Sequence, residues 1–169
     1  LIKLNMPSAQ ISTEFSKGRY TKNGCDEIQF LFSANAGQNK KPLAKIASGG
    51  ELSRVMLAIK SILAEKDEVS TLIFDEIDSG ISGVTADMVG EQLRAVAENH
   101  QVICVTHLAQ IASFANNHLL ITKEMTDNTT YTKVVGISDE DRIREIARIM
   151  GGSKITDEML QSAKQLINR

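Results

Sequence analysis

The chain has 169 residues, a formal net charge of −2 and 42% hydrophobic residues. That suffices for the core of one domain, and the balanced charge argues against a surface that coats nucleic acid throughout. No run of roughly 18 apolar residues suggests a membrane span, and no charged-then-apolar leader is read at the start. Cys25 and Cys104 are far apart, with no CxxC, so neither a disulfide scaffold nor a structural zinc site is expected, and a reducing cytoplasm is the default. Aromatics are 4%, with no Trp, which leaves little to stack on single-stranded nucleic acid. The chain opens Leu1-Ile2-Lys3 rather than with Met and is expected to be a piece of something longer.

Residues 9–16 and 27–34 predict two strands. Between them Gly18 and Asn23-Gly24 are turn signals, so the pair is expected to be a hairpin. Its edges and side chains such as Phe30 and Phe32 are expected to stay uncovered. The stretch NAGQNKKP, with Pro42, is a loop by composition. Apolar Leu52, Val55, Met56, Ile59, Ile62 and Leu63 then predict a helix from Glu51 to about Ala64 with one buried face.

The period changes at 70–74 (STLIF), a continuous apolar run expected to be buried on both faces of a sheet. Residues 84–98 predict a helix with Val89, Leu93, Val96 and Ala97 on one side, and 101–106 (QVICVT) a second buried strand. A short helix at 108–115 and a strand at 118–124 follow. Asp127-Asn128 then turns the chain into TYTKVVGI, another strand. Helices at 139–150 and 156–168 close the chain, separated by Gly151-Gly152, a helix stop. Alternating strands and helices predict an α/β fold, mainly a parallel sheet flanked by helices, with an N-terminal antiparallel hairpin.

Three stretches carry chemistry. Ala47-Ser48-Gly49-Gly50-Glu51 stands directly before the first long helix. Its glycines let backbone approach a ligand, and unpaired helix-start amides attract anions; equally, Ser48 can serve only as an N-cap and the glycines as a turn. In Thr71-Leu72-Ile73-Phe74-Asp75-Glu76-Ile77-Asp78, two carboxylates end a buried strand, the place where open α/β sheets bind ligands. One can hold Mg²⁺, directly or through water, and the next can polarise a water; a solvated acidic loop is the plainer reading. Val105-Thr106-His107 ends the next strand, where a His can touch phosphate or be merely structural.

In this order the three resemble the C-terminal half of an ABC-type ATPase head. Ala47 to Glu51 looks like the signature motif, Leu72 to Asp75 like Walker B followed by a catalytic Glu76. Ser79-Gly80-Ile81-Ser82 falls at the D-loop and His107 at the switch histidine. Ser82 stands where most ABC D-loops end in Asp. The phrases PLAKIASGGELSRVMLAIK, TLIFDEIDSGISG and VTHLAQIASFANNHLLITK, with ARIMGG near the end, place the resemblance in the SMC-like branch, among its bacterial DNA-repair members. No GxxxxGK[ST] occurs in the chain, so the backbone nest and Lys that hold β- and γ-phosphates are missing.

The resemblance implies residues 1–8 as the end of a coiled-coil helix or linker, 9–34 as the hairpin, and 43–169 as the signature, Walker B and switch-histidine lobe. It implies ATP hydrolysis only when an N-terminal P-loop half of the same protein completes the site. Two heads would sandwich two ATP molecules. Asp75 would hold Mg²⁺, Glu76 would activate water, and His107 would contact the γ-phosphate. Ser48, Gly49, Gly50 and Glu51 would cover the nucleotide of the second head in a homodimer. DNA would be held by the assembled molecule, in the cytoplasm at the nucleoid. Basic Lys40, Lys41, Lys45, Arg142, Arg144 and Arg148 do not identify a DNA contact, and a solvated helix face accounts for the arginines. The competing readings are a half-head of another SMC-like or ABC ATPase, which the sequence Glu51-Leu52-Ser53-Arg54 argues is not a transporter, and an inert ABC-like interaction module, against which the Asp75-Glu76 pair stands.

Overall fold

A computed structural model describes residues 1–46, 49–63, 68–126, 129–152 and 154–169. Ala47, Ser48, Ala64 and the Asp127-Asn128 turn, all used in the sequence reading, lie outside the described residues. The expected α/β class holds, with antiparallel hairpins at both ends of a parallel pair.

Strands β1 (Gln10–Thr21) and β2 (Gly24–Ser33) form the N-terminal hairpin, longer than the sequence suggests because pairing continues to a two-residue turn at Thr21↔Gly24. Gly24, the residue that follows the turn and opens β2, has φ 102°, a left-handed conformation that glycine adopts without steric cost. Gly18 is no turn; it lies within β1, where the register slips between Lys17 and Thr21. Pro42 is not in a loop either, since β3 (Lys41–Pro42) pairs with β2 at the sheet edge, a position that tolerates a residue without an N–H. The pairs Ile11↔Phe32, Thr13↔Phe30 and Phe15↔Ile28 share one face of the hairpin by the two-residue period. That face is covered only at its root. Phe32 is 4% exposed, contrary to the expectation that it stays open, whereas Phe30 is 55% exposed.

Helix α1 (Gly49–Leu63) buries Gly50, Arg54, Val55 and Leu57. Its buried stripe therefore runs through Leu57, while Met56, Ile62 and Leu63 face outward. Strands β4 (Thr71–Phe74) and β5 (Gln101–Cys104) pair in parallel, with Phe74 opposite Cys104. Leu72 and Phe74 are buried, but Ile73 is 69% exposed, so β4 is covered on one face only. The expected burial on both faces fails because the helices pack against one side. Helix α2 (Gly83–Val96) buries Val89, Leu93 and Val96; it ends before Ala97, which is exposed.

Residues 1–8 hold a single 3-10 turn at Ile2–Leu4, and Leu4 and Met6 join the main core with Phe32, Val55, Leu57, Ile77 and α2. Helix α3 (Ala109–Ala112), shorter than predicted, packs with α4 (Asp139–Gly151) and α5 (Asp157–Ile167) around a second core of Ala109, Ile146, Ala147 and Ala163. Ser138 and Thr156 accept hydrogen bonds from helix-start amides of α4 and α5, and Gly152 stops α4 with φ 77°. Between α3 and α4, β6 (Leu119–Thr126) and β7 (Thr129–Gly136) make a separate antiparallel hairpin rather than extending the parallel pair. Arg169 ties the C-terminus back by an ion pair to Asp87 (2.7 Å) and by stacking 4.3 Å over Phe114.

Candidate functional site

Parallel pairing brings two strand ends to the same edge. After Phe74 come Asp75 and Glu76; after Cys104 come Val105, Thr106 and His107, held to β4 by Val105 N–H donating to Phe74 O at 2.9 Å. Ile77 and Asp78 then turn inward and are buried. To send them inward while keeping its own side chain out, Glu76 takes φ 56°, left-handed for a residue that carries a Cβ. Such a conformation costs about 1–3 kcal/mol and persists only where surroundings fix it. Here Asp75 Oδ1 accepts from Glu76 N–H at 2.9 Å, and Ser79 N–H donates back to Glu76 O at 3.0 Å.

Asp78 is the hub. It is 5% exposed, and its Oδ2 accepts from Thr106 Oγ1 at 2.6 Å and from the His107 backbone N–H at 2.8 Å. The same oxygen lies 2.9 Å from His107 Nδ1, while the His107 side chain remains 78% exposed. Helix α1 clamps this loop from below. Arg54, buried, donates to Ile77 O at 3.2 Å and Ser79 O at 3.0 Å, and Ser53 Oγ donates to Asp75 O at 2.9 Å. Burial pulls the Arg54 guanidinium below its ordinary range, partly offset by Glu51. Cys104 sits behind the site; burial, then Asp78 and Asp75, push its thiol up to about 12. A thiol so shifted is inert at neutral pH.

The start of α1 meets the same loop. A Cβ on Gly49 would collide with Glu76 Oε2, and one on Gly50 would fall 2.8 Å from Ser79 O. Gly49, Gly50, Glu76 and Ser79 of one chain are therefore neighbours, and Glu51 follows on the same helix turn. Gly80 has φ 73°, and Ile81 N–H donates to Asp78 O at 3.3 Å, shaping 79–82 into a tight bend before α2, with Ser82 at its N-cap position. Ser48, expected at this helix start, lies outside the described residues. Sequence reasoning missed Asp78, Arg54, Ser53 and Thr106. The only signal for Asp78 was a third carboxylate two residues beyond Glu76.

Among the described residues no three His, Cys, Asp or Glu side chains converge as a metal cage. Asp75, exposed at a strand end, still suits Mg²⁺, which binds through one or two carboxylates and fills its shell with phosphate and water. The arginines of α4 are engaged: Arg144 with Glu140, Arg148 with Glu145, and Arg142 donating to Ser113 O. No helix among the described residues is long and apolar enough to cross a membrane.

No family model matches the chain. It is, however, 49% identical over 90% of its length to the DNA repair protein RecN of Treponema pallidum, and 45% identical over 98% to RecN of Vibrio cholerae. Nearly the whole chain is thus similar to RecN proteins. It spans 26% and 30% of those two relatives' lengths, respectively. In fold it is similar to the Smc head domain of Pyrococcus yayanosii, with a TM-score of 0.59 and 20% identity, covering 88% of this chain and 27% of that one. The Smc head domain of Pyrococcus furiosus gives a TM-score of 0.55 at 22% identity, covering 88% and 35%. Both likenesses concern the fold. The RecN matches, by contrast, extend through the stretches that hold Glu76, Asp78 and His107.

Proposed function

We propose that this RecN-like segment is the C-terminal half of an ATPase head, which hydrolyses ATP once a P-loop-bearing half of the same protein completes it, and which serves DNA double-strand-break repair. The observation that carries the proposal is the parallel pairing of β4 and β5, which places Asp75, Glu76 and the Asp78–His107 pair just past the same strand edge, in a chain nearly half identical to a RecN sequence. The half-covered apolar faces support it: Ile73, Ile103 and Val105 on the parallel pair and Phe15, Ile28 and Phe30 on the hairpin are exposed as a second lobe would require.

In this proposal Glu76, held in a left-handed backbone conformation just past the strand end, orients and deprotonates the attacking water. His107 approaches the γ-phosphate through the exposed end of its ring. Asp75 would hold Mg²⁺, which when bound neutralises charge on the phosphates. The amides at Gly49 and Gly50, together with Ser48, cover the nucleotide of a second head in a homodimer, completing its γ-phosphate contacts only on closure. Because the Glu76 carboxylate lies against Gly49 of its own chain, it must withdraw before a phosphate oxygen can take that place. Hydrolysis would then release the heads, a population shift that changes the grip on DNA. The cytoplasm, at the nucleoid, is the compartment this role requires.

The test mixes the chain with a separately produced P-loop-bearing half. The chain alone should show neither micromolar MgATP binding by calorimetry nor phosphate release. The two halves together should associate and turn ATP over, and Glu76→Gln should lower that turnover about 10²–10⁴-fold with binding retained. Turnover by the chain alone, or a stable pair that never hydrolyses ATP, refutes the proposal.

A further inference from the structure

We propose that Asp78 is the positioning residue for His107, fixing which ring nitrogen carries the proton and which one faces the nucleotide. This rests on the reading of His107 as a residue of the ATP site. Asp78 is a buried carboxylate whose Oδ2 takes the His107 backbone N–H at 2.8 Å and Thr106 Oγ1 at 2.6 Å, with Nδ1 of the ring 2.9 Å away. An ionised carboxylate only accepts, so a lone pair on Nδ1 would face it unfavourably and a proton on Nδ1 favourably. The neutral ring is thereby held as the Nδ1–H tautomer, leaving Nε2 as the atom that gains and loses the proton at the exposed end. With Nε2 bare the ring accepts a hydrogen bond from water; with Nε2 protonated it donates to a phosphate oxygen, and Asp78 balances the imidazolium charge.

Asp78 is itself held in place. Arg54 grips the carbonyls of Ile77 and Ser79 on either side of it. The line from α1 through the loop to His107 links the helix start that would cover a nucleotide with the histidine that would touch one.

The first readout needs no activity. Nitrogen-15 spectra of histidine-labelled chain, taken where His107 is neutral, should show its Nδ1 protonated and Nε2 bare. Asp78→Ala should let the ring revert toward the Nε2–H form preferred by an unconstrained histidine side chain. A wild-type His107 already in the Nε2–H form overturns the proposal, whether or not any variant folds. The second readout uses the assembled ATPase. Asp78→Asn should lower kcat at least about 10-fold, the lower end of what losing the outer partner of a metal-bound histidine costs, with KM for ATP changed less than about twofold. In a His107→Ala background the same substitution should add nothing; an undiminished further loss means that Asp78 acts by another route, which overturns the proposal. If His107→Ala leaves turnover intact while the tautomer is still set by Asp78, the assignment of His107 to the ATP site fails and the positioning role stands.

Discussion

At the scale of single residues, the two glycines before α1 illustrate what a motif hides. Both invite the same reading as sequence, but their surroundings differ. The Cβ of Gly49→Ala would meet the end of the Glu76 side chain, which can swing away. The Cβ of Gly50→Ala would fall 2.8 Å from Ser79 O and 3.1 Å from Glu76 O, and backbone cannot yield without moving the loop that carries Asp78. Gly49→Ala should therefore leave thermal stability nearly unchanged, while Gly50→Ala should cost about 1–3 kcal/mol, read as a lower melting temperature of the chain. Equal effects would mean the loop adjusts freely. Asp75, Glu76 and His107 were legible because a strand end is a recurrent place for polar side chains. Asp78 and Arg54 were not, since burial of a charged group depends on contacts between residues some 23 to 29 positions apart, which no local pattern records.

At the scale of elements, periodicity located nearly every helix and strand but misjudged which faces are covered. A continuous apolar run such as 71–74 reads as a strand buried on both sides, yet Ile73 is open; the run specifies a neighbour, and this chain supplies one on a single face. The hairpin tells the same story along its length. Phe32 sits in the main core while Phe30, two residues earlier on the same face, does not. Phe32→Ala should destabilise the chain by about 3–5 kcal/mol, and Phe30→Ala should have little effect until the second lobe is bound, which chemical denaturation of the chain and of the assembled pair would show. The entry to β6 carries a pH dependence. His118 Nε2 lies 2.6 Å from Ala112 O, and burial foremost lowers its pKa from 6.5, with Arg142 adding to the effect against that carbonyl and Glu145. With the folded value below the unfolded one, the unfolded chain binds the extra proton in the window beneath 6.5. Stability should hold above that window and fall as pH drops through it. His118→Gln should flatten this slope in denaturation midpoints measured from pH 7.5 to 5.

At the scale of the whole molecule, the arrangement raises a question that the motifs alone leave open: whether the α1 start acts on its own chain's site or on a partner's. The structure puts Gly49 and Gly50 beside Glu76 and Ser79 of the same chain, whereas the proposed closure uses the α1 start in trans. Two defects in the assembled, P-loop-containing protein separate these cases. Glu76→Gln removes the base, and Ser48→Arg places bulk and charge on the covering face. If Ser48 only caps a helix, its substitution should cost about 1 kcal/mol of stability and spare turnover. If it acts in trans, each variant alone should be inactive, but a mixed dimer contains one site with both defects and one with neither, so activity should return toward half of wild type per mixed dimer. If it acts in cis, each site of the mixed dimer carries one defect and the mixture stays inactive. Phosphate release across mixing ratios, with mixed dimers verified by native mass spectrometry, distinguishes the outcomes, and silence at every ratio would make the contact between Gly49 and Glu76 the working arrangement rather than the resting one.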